Sequence, residues 1–205
     1  MTNPDYTALL FIIDRSGSMY TIANDMEGGI TTLLEEQKEI EGQVTVDLAY
    51  FDDKFEYAQE MASLTAAVPS IKPRGMTALY DAVGKAVTQF GTSLANLDED
   101  DRPGKVLVVI VTDGLENASQ EYTSTSIKDI ITEQREKYNW EFVFLGANQD
   151  AVLVGGNMGI PSRSAMTYVA DSAGVANASA NLRGYTRSFR TNQEPAFDIN
   201  SNDTE

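Results

Sequence analysis

Three short apolar runs limit what this chain can fold into: residues 8–13, residues 106–112 (VLVVIVT) and residues 141–145 (EFVFL). Each is nearly unbroken and rich in β-branched or aromatic side chains. Such runs fit strands covered on both faces, as a parallel sheet inside an α/β layer requires. Between them the period changes to that of a helix. Ile22, Met26, Ile30, Leu33, Leu34 and Ile40 recur at helical spacing, with Glu35, Glu36, Lys38 and Glu39 among the polar positions. Leu79, Ala82, Val83, Ala86 and Phe90 predict a second helix, and Ile127, Ile130, Ile131 and Gln134 a third that Ser126 would cap. A short helix near residues 150–155 and a last one over 171–189 complete the set. The apolar positions of the last helix are sparse and Gly174 and Gly184 lower its propensity, so it is expected to be the least firmly held.

Residues 44–51 alternate more openly, Asp52, Asp53 and Lys54 turn the chain, and Phe55, Tyr57 and Met61 follow. This reads as a hairpin that puts one antiparallel strand at the sheet edge. With a weak strand at 166–169, the expected fold is α/β: a doubly wound, mostly parallel six-stranded sheet with helices on both faces. A chain of 205 residues, 42% of them apolar, is long enough for one full core and short for two. Residues 1–5 read as an N-terminal extension, 6–189 as the domain and 190–205 as an acidic flexible tail. Gly28 and Gly29, inside the first helix, each cost about 1 kcal/mol relative to alanine, which predicts close packing of that helix on the sheet. Trp140 precedes a core strand and reads as packing.

In a doubly wound sheet, ligands bind beyond the carboxyl ends of the strands. Asp14, Ser16 and Ser18 follow the first run, Asp113 follows the second, and Thr77 sits in a glycine-led loop just before a helix. Together they offer three hydroxyls and two carboxylates. The chain has no cysteine and no histidine, which removes thiolate and imidazole ligands and the usual base of nucleophilic catalysis. Hard, oxygen-only ligation favours Mg²⁺, Mn²⁺ or Ca²⁺ over zinc or copper, and Mg²⁺ is the expected ion with Mn²⁺ or Ca²⁺ as alternatives. A formal charge of -16 would draw cations in and repel nucleic acid and anionic membranes, so neither is an expected partner. The plainer reading of Asp14 to Ser16 is a strand-end turn whose side chains cap the next helix, but it leaves unexplained why Thr77 and Asp113 recur where a third and fourth ligand belong. Asp52 and Asp53 read as solvated turn residues or as part of the metal face. Glu116 and Asn117 read as a turn or as determinants of partner specificity.

At these residues the sequence resembles a known family, the von Willebrand factor type A domains, which include integrin I domains. The family signature, the metal-ion-dependent adhesion site, is written D-x-S-x-S, then T, then D. Here it reads Asp14-Arg15-Ser16-Gly17-Ser18, then Thr77 in GMTALYDA, then Asp113 in VTDGLEN. The resemblance covers about residues 6–189. It implies that Ser16, Ser18 and Thr77 bind the ion directly or through one water, with Asp14 and Asp113 beside or just behind them. It also implies that a partner protein's Asp or Glu fills the sixth position, and that the last helix moves when it does.

The expected function is therefore a divalent-cation-dependent protein-binding module without catalytic activity. The alternatives are a metal-dependent hydrolase and a structural or assembly factor of a phage or bacterial stress system. Haloacid-dehalogenase-type phosphatases need a second aspartate where Ser16 stands, and no Ser-x-x-Lys lies near Ser16 or Ser18. No leader-like start and no apolar stretch of about 20 residues is present. The expected location is the cytoplasm of a bacterium or phage-infected cell, with the virion as the alternative. Glu194, Asp198, Asp203 or Glu205 of the tail could fill a neighbour's metal site, giving self-association.

Overall fold

The computed structural model describes residues 2–197. These residues form six strands and five α-helices in the order β1 Asn3–Asp14, α1 Ala23–Gln37, β2 Gln43–Phe51, β3 Phe55–Ser63, α2 Leu79–Ala95, β4 Pro103–Thr112, α3 Ser124–Tyr138, β5 Glu141–Ala147, α4 Ala151–Asn157, β6 Ala165–Tyr168 and α5 Ser172–Arg190. The sheet order is β3-β2-β1-β4-β5-β6. Every pair is parallel except β2 with the edge strand β3. From β1 the chain winds outward through β2 and β3, then returns past β1 and winds the other way through β4, β5 and β6. The switch of direction falls between β1 and β4, and it leaves a crevice at their carboxyl ends.

The apolar runs are continuous because they serve two cores in alternation. Leu9, Phe11 and Ile13 of β1 face α1 and α5, together with Leu107, Val109 and Val111 of β4. Leu10 and Ile12 face α2 and α3, together with Val108 and Ile110. Since neighbouring β-residues point to opposite faces, a strand covered on both sides has no polar phase. Trp140 joins the second core, edge-on to Phe90 at 5.5 Å. Among the described residues no helix is long and apolar enough to cross a membrane.

Several local expectations are corrected. Helix α1 ends at Gln37, so Ile40 lies in the following turn. The N-cap of α3 is Thr123, whose hydroxyl accepts from Ser126 N at 3.2 Å while Ser126 Oγ accepts from Thr123 N at 2.9 Å. Ser126 thus closes a capping box rather than opening the helix. A Cβ on Gly29 would lie 2.9 Å from Ser179 Cβ, so this glycine lets α1 approach α5 rather than the sheet, and Gly28 faces open space.

Helix α5 is held more firmly than its sparse apolar face suggests. Val175, Ala178 and Leu182 are buried, and polar ties fasten its second half. Arg190 donates to the carbonyls of Gln37, Ile40 and Glu41, and the Tyr185 hydroxyl reaches Ser164 Oγ at 2.7 Å and Glu141 Oε1 at 2.6 Å. Strand β1 takes in Asn3 to Asp5 of the expected extension. Of the expected tail, Arg190 closes α5, and Phe197 is buried 4.9 Å from the Tyr185 ring with its amide on Arg163 O. Residues 198–205, and with them Asp198, Asp203 and Glu205, lie outside the described residues.

Candidate metal centre

Strand β1 delivers one buried carboxylate, that of Asp14, to the crevice. Its Oδ1 accepts from Ser16 N at 2.6 Å and its Oδ2 from Thr112 Oγ1 at 2.6 Å. The first bond bends the chain out of the strand, and a 3₁₀ turn, Gly17–Thr21, follows. Ser16 Oγ lies 3.1 Å from Ser18 Oγ, and Ser18 Oγ donates to Asp113 Oδ1 at 2.6 Å. A Cβ built on Gly114 would sit 3.1 Å from Thr77 Oγ1 and 3.6 Å from Ser18 Oγ. The residue after Asp113 is therefore small because the hydroxyls of two other segments crowd it. Asp14, Ser16, Ser18, Thr77 and Asp113 come together from three loops at one point.

Burial makes the ionised form of both carboxylates costly here. Burial pushes the Asp14 carboxyl up to about 6, against the bonds from Thr112 and Ser16, and the charge of Asp113 adds to the rise. Burial also raises Asp113, with Ser18 opposing. Burial and both carboxylates raise the Tyr168 hydroxyl. Among the described residues no lysine or arginine pairs with Asp14 or Asp113. Two close, unneutralised carboxylates flanked by three hydroxyls suit a hard divalent ion, whose charge would reverse the penalty. No cluster of three or more His, Cys, Asp or Glu side chains suited to a metal occurs among the described residues, and here hydroxyls would supply most of the donors.

Around the five residues stands a frame that the sequence reading missed. Arg15 turns away from Asp14 and donates from Nε to Asp52 Oδ2 at 2.8 Å and from its guanidinium to Glu56 Oε2 at 2.6 Å. Arg74 Nε reaches the same Asp52 oxygen at 2.8 Å. Burial acts to raise the Asp52 carboxyl, but the bonds from Arg74, Arg15 and Lys54 N outweigh it and hold it low. Asp52 is thus a fully buried hub, not a solvated turn residue, while Asp53 is exposed. It locks the β2–β3 turn to the loop of Ser16 and the loop of Thr77, which also meet through Arg74 N to Arg15 O at 2.7 Å and Gly17 N to Gly75 O at 3.2 Å.

Asn117 and Glu116 belong to the same frame. Asn117 Oδ1 accepts from Thr77 N, and the Asn117 backbone N–H donates to Thr77 O, both at 3.0 Å, so Thr77 is bracketed on both sides. Glu116 accepts from Tyr80 N in the first turn of α2. Asp81 of α2 accepts from Gln120, Glu121 and Tyr122 amides, which ties the 113–123 loop down along its length.

No protein-family model matches the sequence, and no curated protein matches it. Solved structures do. Proximal thread matrix protein 1 from the mussel byssus, with a zinc-occupied MIDAS motif, aligns over 87% of this chain and 45% of its own at a TM-score of 0.63 and 14% identity. The von Willebrand factor domain of the type V pili tip protein Mfa5 from Porphyromonas gingivalis aligns over 96% of this chain and 98% of its own at 0.63 and 9%. The ArnB paralog VWA2 from Sulfolobus acidocaldarius aligns over 87% and 44% at 0.54 and 17%. The fold is that of a von Willebrand factor type A domain. The chain spans less than half the length of the mussel and Sulfolobus proteins and nearly all of the Mfa5 domain. In this type A fold the five residues lie at the crevice between β1 and β4, where the winding of the sheet reverses.

Proposed function

We propose that this chain is a divalent-cation-dependent protein-binding module of the von Willebrand factor type A kind, with a metal-ion-dependent adhesion site. Asp14, Ser16, Ser18, Thr77 and Asp113 hold the ion, and a partner's Asp or Glu completes its shell. The observation that carries the reading is the convergence of five oxygen-bearing side chains on one crevice, two of them carboxylates with no cationic partner among the described residues. Mg²⁺ is the ion this donor set favours, and Mn²⁺ or Ca²⁺ fit the same oxygens. The zinc found in the mussel protein's motif supports a divalent ion at such a position.

Each residue has a definable task. Asp14 and Asp113 supply the negative charge that draws the ion in. Ser16, Ser18 and Thr77 supply neutral oxygens, so only Asp14 and Asp113 offset the charge of the ion, and a partner's carboxylate takes the remaining position on it. Thr112 and the Ser16 amide orient Asp14 through its two oxygens, and Asn117 orients Thr77.

The surface around the centre supports a protein as the partner. Tyr20 is 82% exposed, Met76 57% and Leu115 63%, and each stands within two residues of Ser18, Thr77 or Asp113. Of the eight large exposed apolar side chains among the described residues, Val152, Leu153 and Val169 also lie at the carboxyl end of the sheet, making six at this end. Apolar side chains around a charged centre are what a protein interface uses for area and anchoring. The proposed role is binding without catalysis. Selection from a displayed random-peptide library, washed in Mg²⁺ and eluted with EDTA, tests it. An Asp or Glu fixed at one position of the eluted peptides is the expected result, and elution without acidic enrichment contradicts it.

A further inference from the structure

We propose that Gln149 is a positioning residue of this centre, holding the turn of Asp113 and Gly114 from the β5 side; the inference rests on the metal reading above. Gln149 follows β5, whose Gly146 stands in register opposite Thr112. Its side chain folds back toward β4, and Nε2 donates to Gly114 O at 3.2 Å. A Cβ on Gly146 would lie 3.1 Å from Gln149 Cγ and 3.2 Å from Ala151 Cβ, so the glycine clears the path for this fold-back.

Gly114 O has one competing donor, Thr112 Oγ1 at 3.1 Å. That hydroxyl carries a single proton, and Asp14 Oδ2 takes it at 2.6 Å. The carbonyl therefore depends on Gln149. What it anchors borders the centre directly, because Gly114 adjoins Asp113 and a Cβ built on it would meet Thr77 Oγ1 at 3.1 Å and Ser18 Oγ at 3.6 Å. Movement of this turn would displace Asp113 and crowd both hydroxyls together.

The other end of the amide sharpens the assignment. Gln149 Oε1 is buried and has no hydrogen-bond partner among the described residues. Turning the amide over would set that oxygen against Gly114 O, so the orientation is fixed by repulsion. A buried acceptor left unpaired destabilises a fold. Gln149 thus gives the chain one long hydrogen bond and one unsatisfied atom, a poor return for stability alone. Violations of this kind belong at functional sites.

The test compares the chelator-treated parent chain with Gln149→Met, which keeps the length and removes the amide, and Gln149→Asn, whose shorter amide falls short of Gly114. Calorimetry with Mn²⁺ measures affinity, and urea unfolding in chelator measures stability. Both variants should bind Mn²⁺ about tenfold or more weakly, the range typical for groups that orient metal ligands. Gln149→Met should stay close to the parent in stability, since it exchanges the unpaired Gln149 Oε1 for an unpaired Gly114 O. A merely structural residue would show the reverse, with lower stability and unchanged affinity, and that result overturns the proposal. Equal Mn²⁺ affinity in parent and variants overturns it while leaving the metal reading standing. Absence of saturable Mn²⁺ binding by the parent overturns both.

Discussion

Replacing Asp14 by asparagine should stabilise the metal-free chain at neutral pH, although it removes an expected ligand. Burial pushes the Asp14 carboxyl up from 3.8 to about 6, against the hydrogen bonds it accepts and with the help of the Asp113 charge. The folded chain therefore binds this proton more tightly than the unfolded chain does. The stability contributed by the protonated form is full below about pH 4 and is lost as the pH rises toward and through about 6. The rise from 3.8 to about 6, at 1.36 kcal/mol per pH unit, corresponds to about 3 kcal/mol once the carboxylate is fully ionised. Roughly half of it disappears between about pH 5 and about pH 7.5, because the unfolded chain is already ionised at the lower value.

Asparagine keeps an oxygen for Ser16 N, and the Thr112 hydroxyl can rotate to accept from the new amide, so both local bonds survive. Urea unfolding in chelator across this pH range is the assay. Asp14→Asn should exceed the parent by about 2–3 kcal/mol near pH 7.5 and lie within about 1 kcal/mol of it near pH 4. Asp47, buried and also pushed up to about 6, titrates over the same window, but it is common to both chains and cancels in the difference. A variant less stable than the parent near pH 7.5, or a difference that does not change with pH, would refute the reasoning.

Two further predictions concern the frame. Gly29→Ala should destabilise the chain by about 1–3 kcal/mol, since the new methyl would meet Ser179 Cβ at 2.9 Å. Gly28→Ala, with nothing within 4 Å, should stabilise it by up to about 1 kcal/mol, and thermal melts of the pair read the contrast directly. Asp52→Ala should lower stability by about 3–5 kcal/mol in urea unfolding, because it strips the buried Arg15 guanidinium of its inner partner and frees the loop of Thr77. A loss below about 1 kcal/mol would mean that Glu56 alone suffices to hold Arg15.

The sheet could be read from the chain because each strand announces itself locally. Residues 8–13 and 106–112 are continuous where two cores need them, and residues 44–51 alternate where the hairpin begins. The meeting of Asp14, Ser18 and Asp113 was equally legible, since parallel strands placed side by side bring their carboxyl ends together. The frame was not. Asn117 and Gln149 act on the backbone of Thr77 and Gly114, at separations of 40 and 35 residues, and no local pattern distinguishes such an amide from one in an ordinary turn. Asp52 reads as a solvated turn residue until Arg15 and Arg74 are seen to converge on it. Gly29 signals a close approach without naming the partner, which depends on α5 returning beside α1. Helix α5 was expected to be loose because its apolar face is sparse, yet Arg190 and Tyr185 fasten it through carbonyls and hydroxyls that periodicity does not register.

The central claim is that the five residues at the β1–β4 crevice form a divalent-cation site. Calorimetric titration of Mg²⁺ and of Mn²⁺ into the chelator-treated chain tests it most directly, beside a Ser16→Ala/Ser18→Ala variant shown by circular dichroism to be folded. One saturable site in the parent, lost in the variant, is the predicted result. No binding in the parent, or equal binding in both chains, would contradict the claim and leave these residues as the hydrogen-bonded end of a sheet.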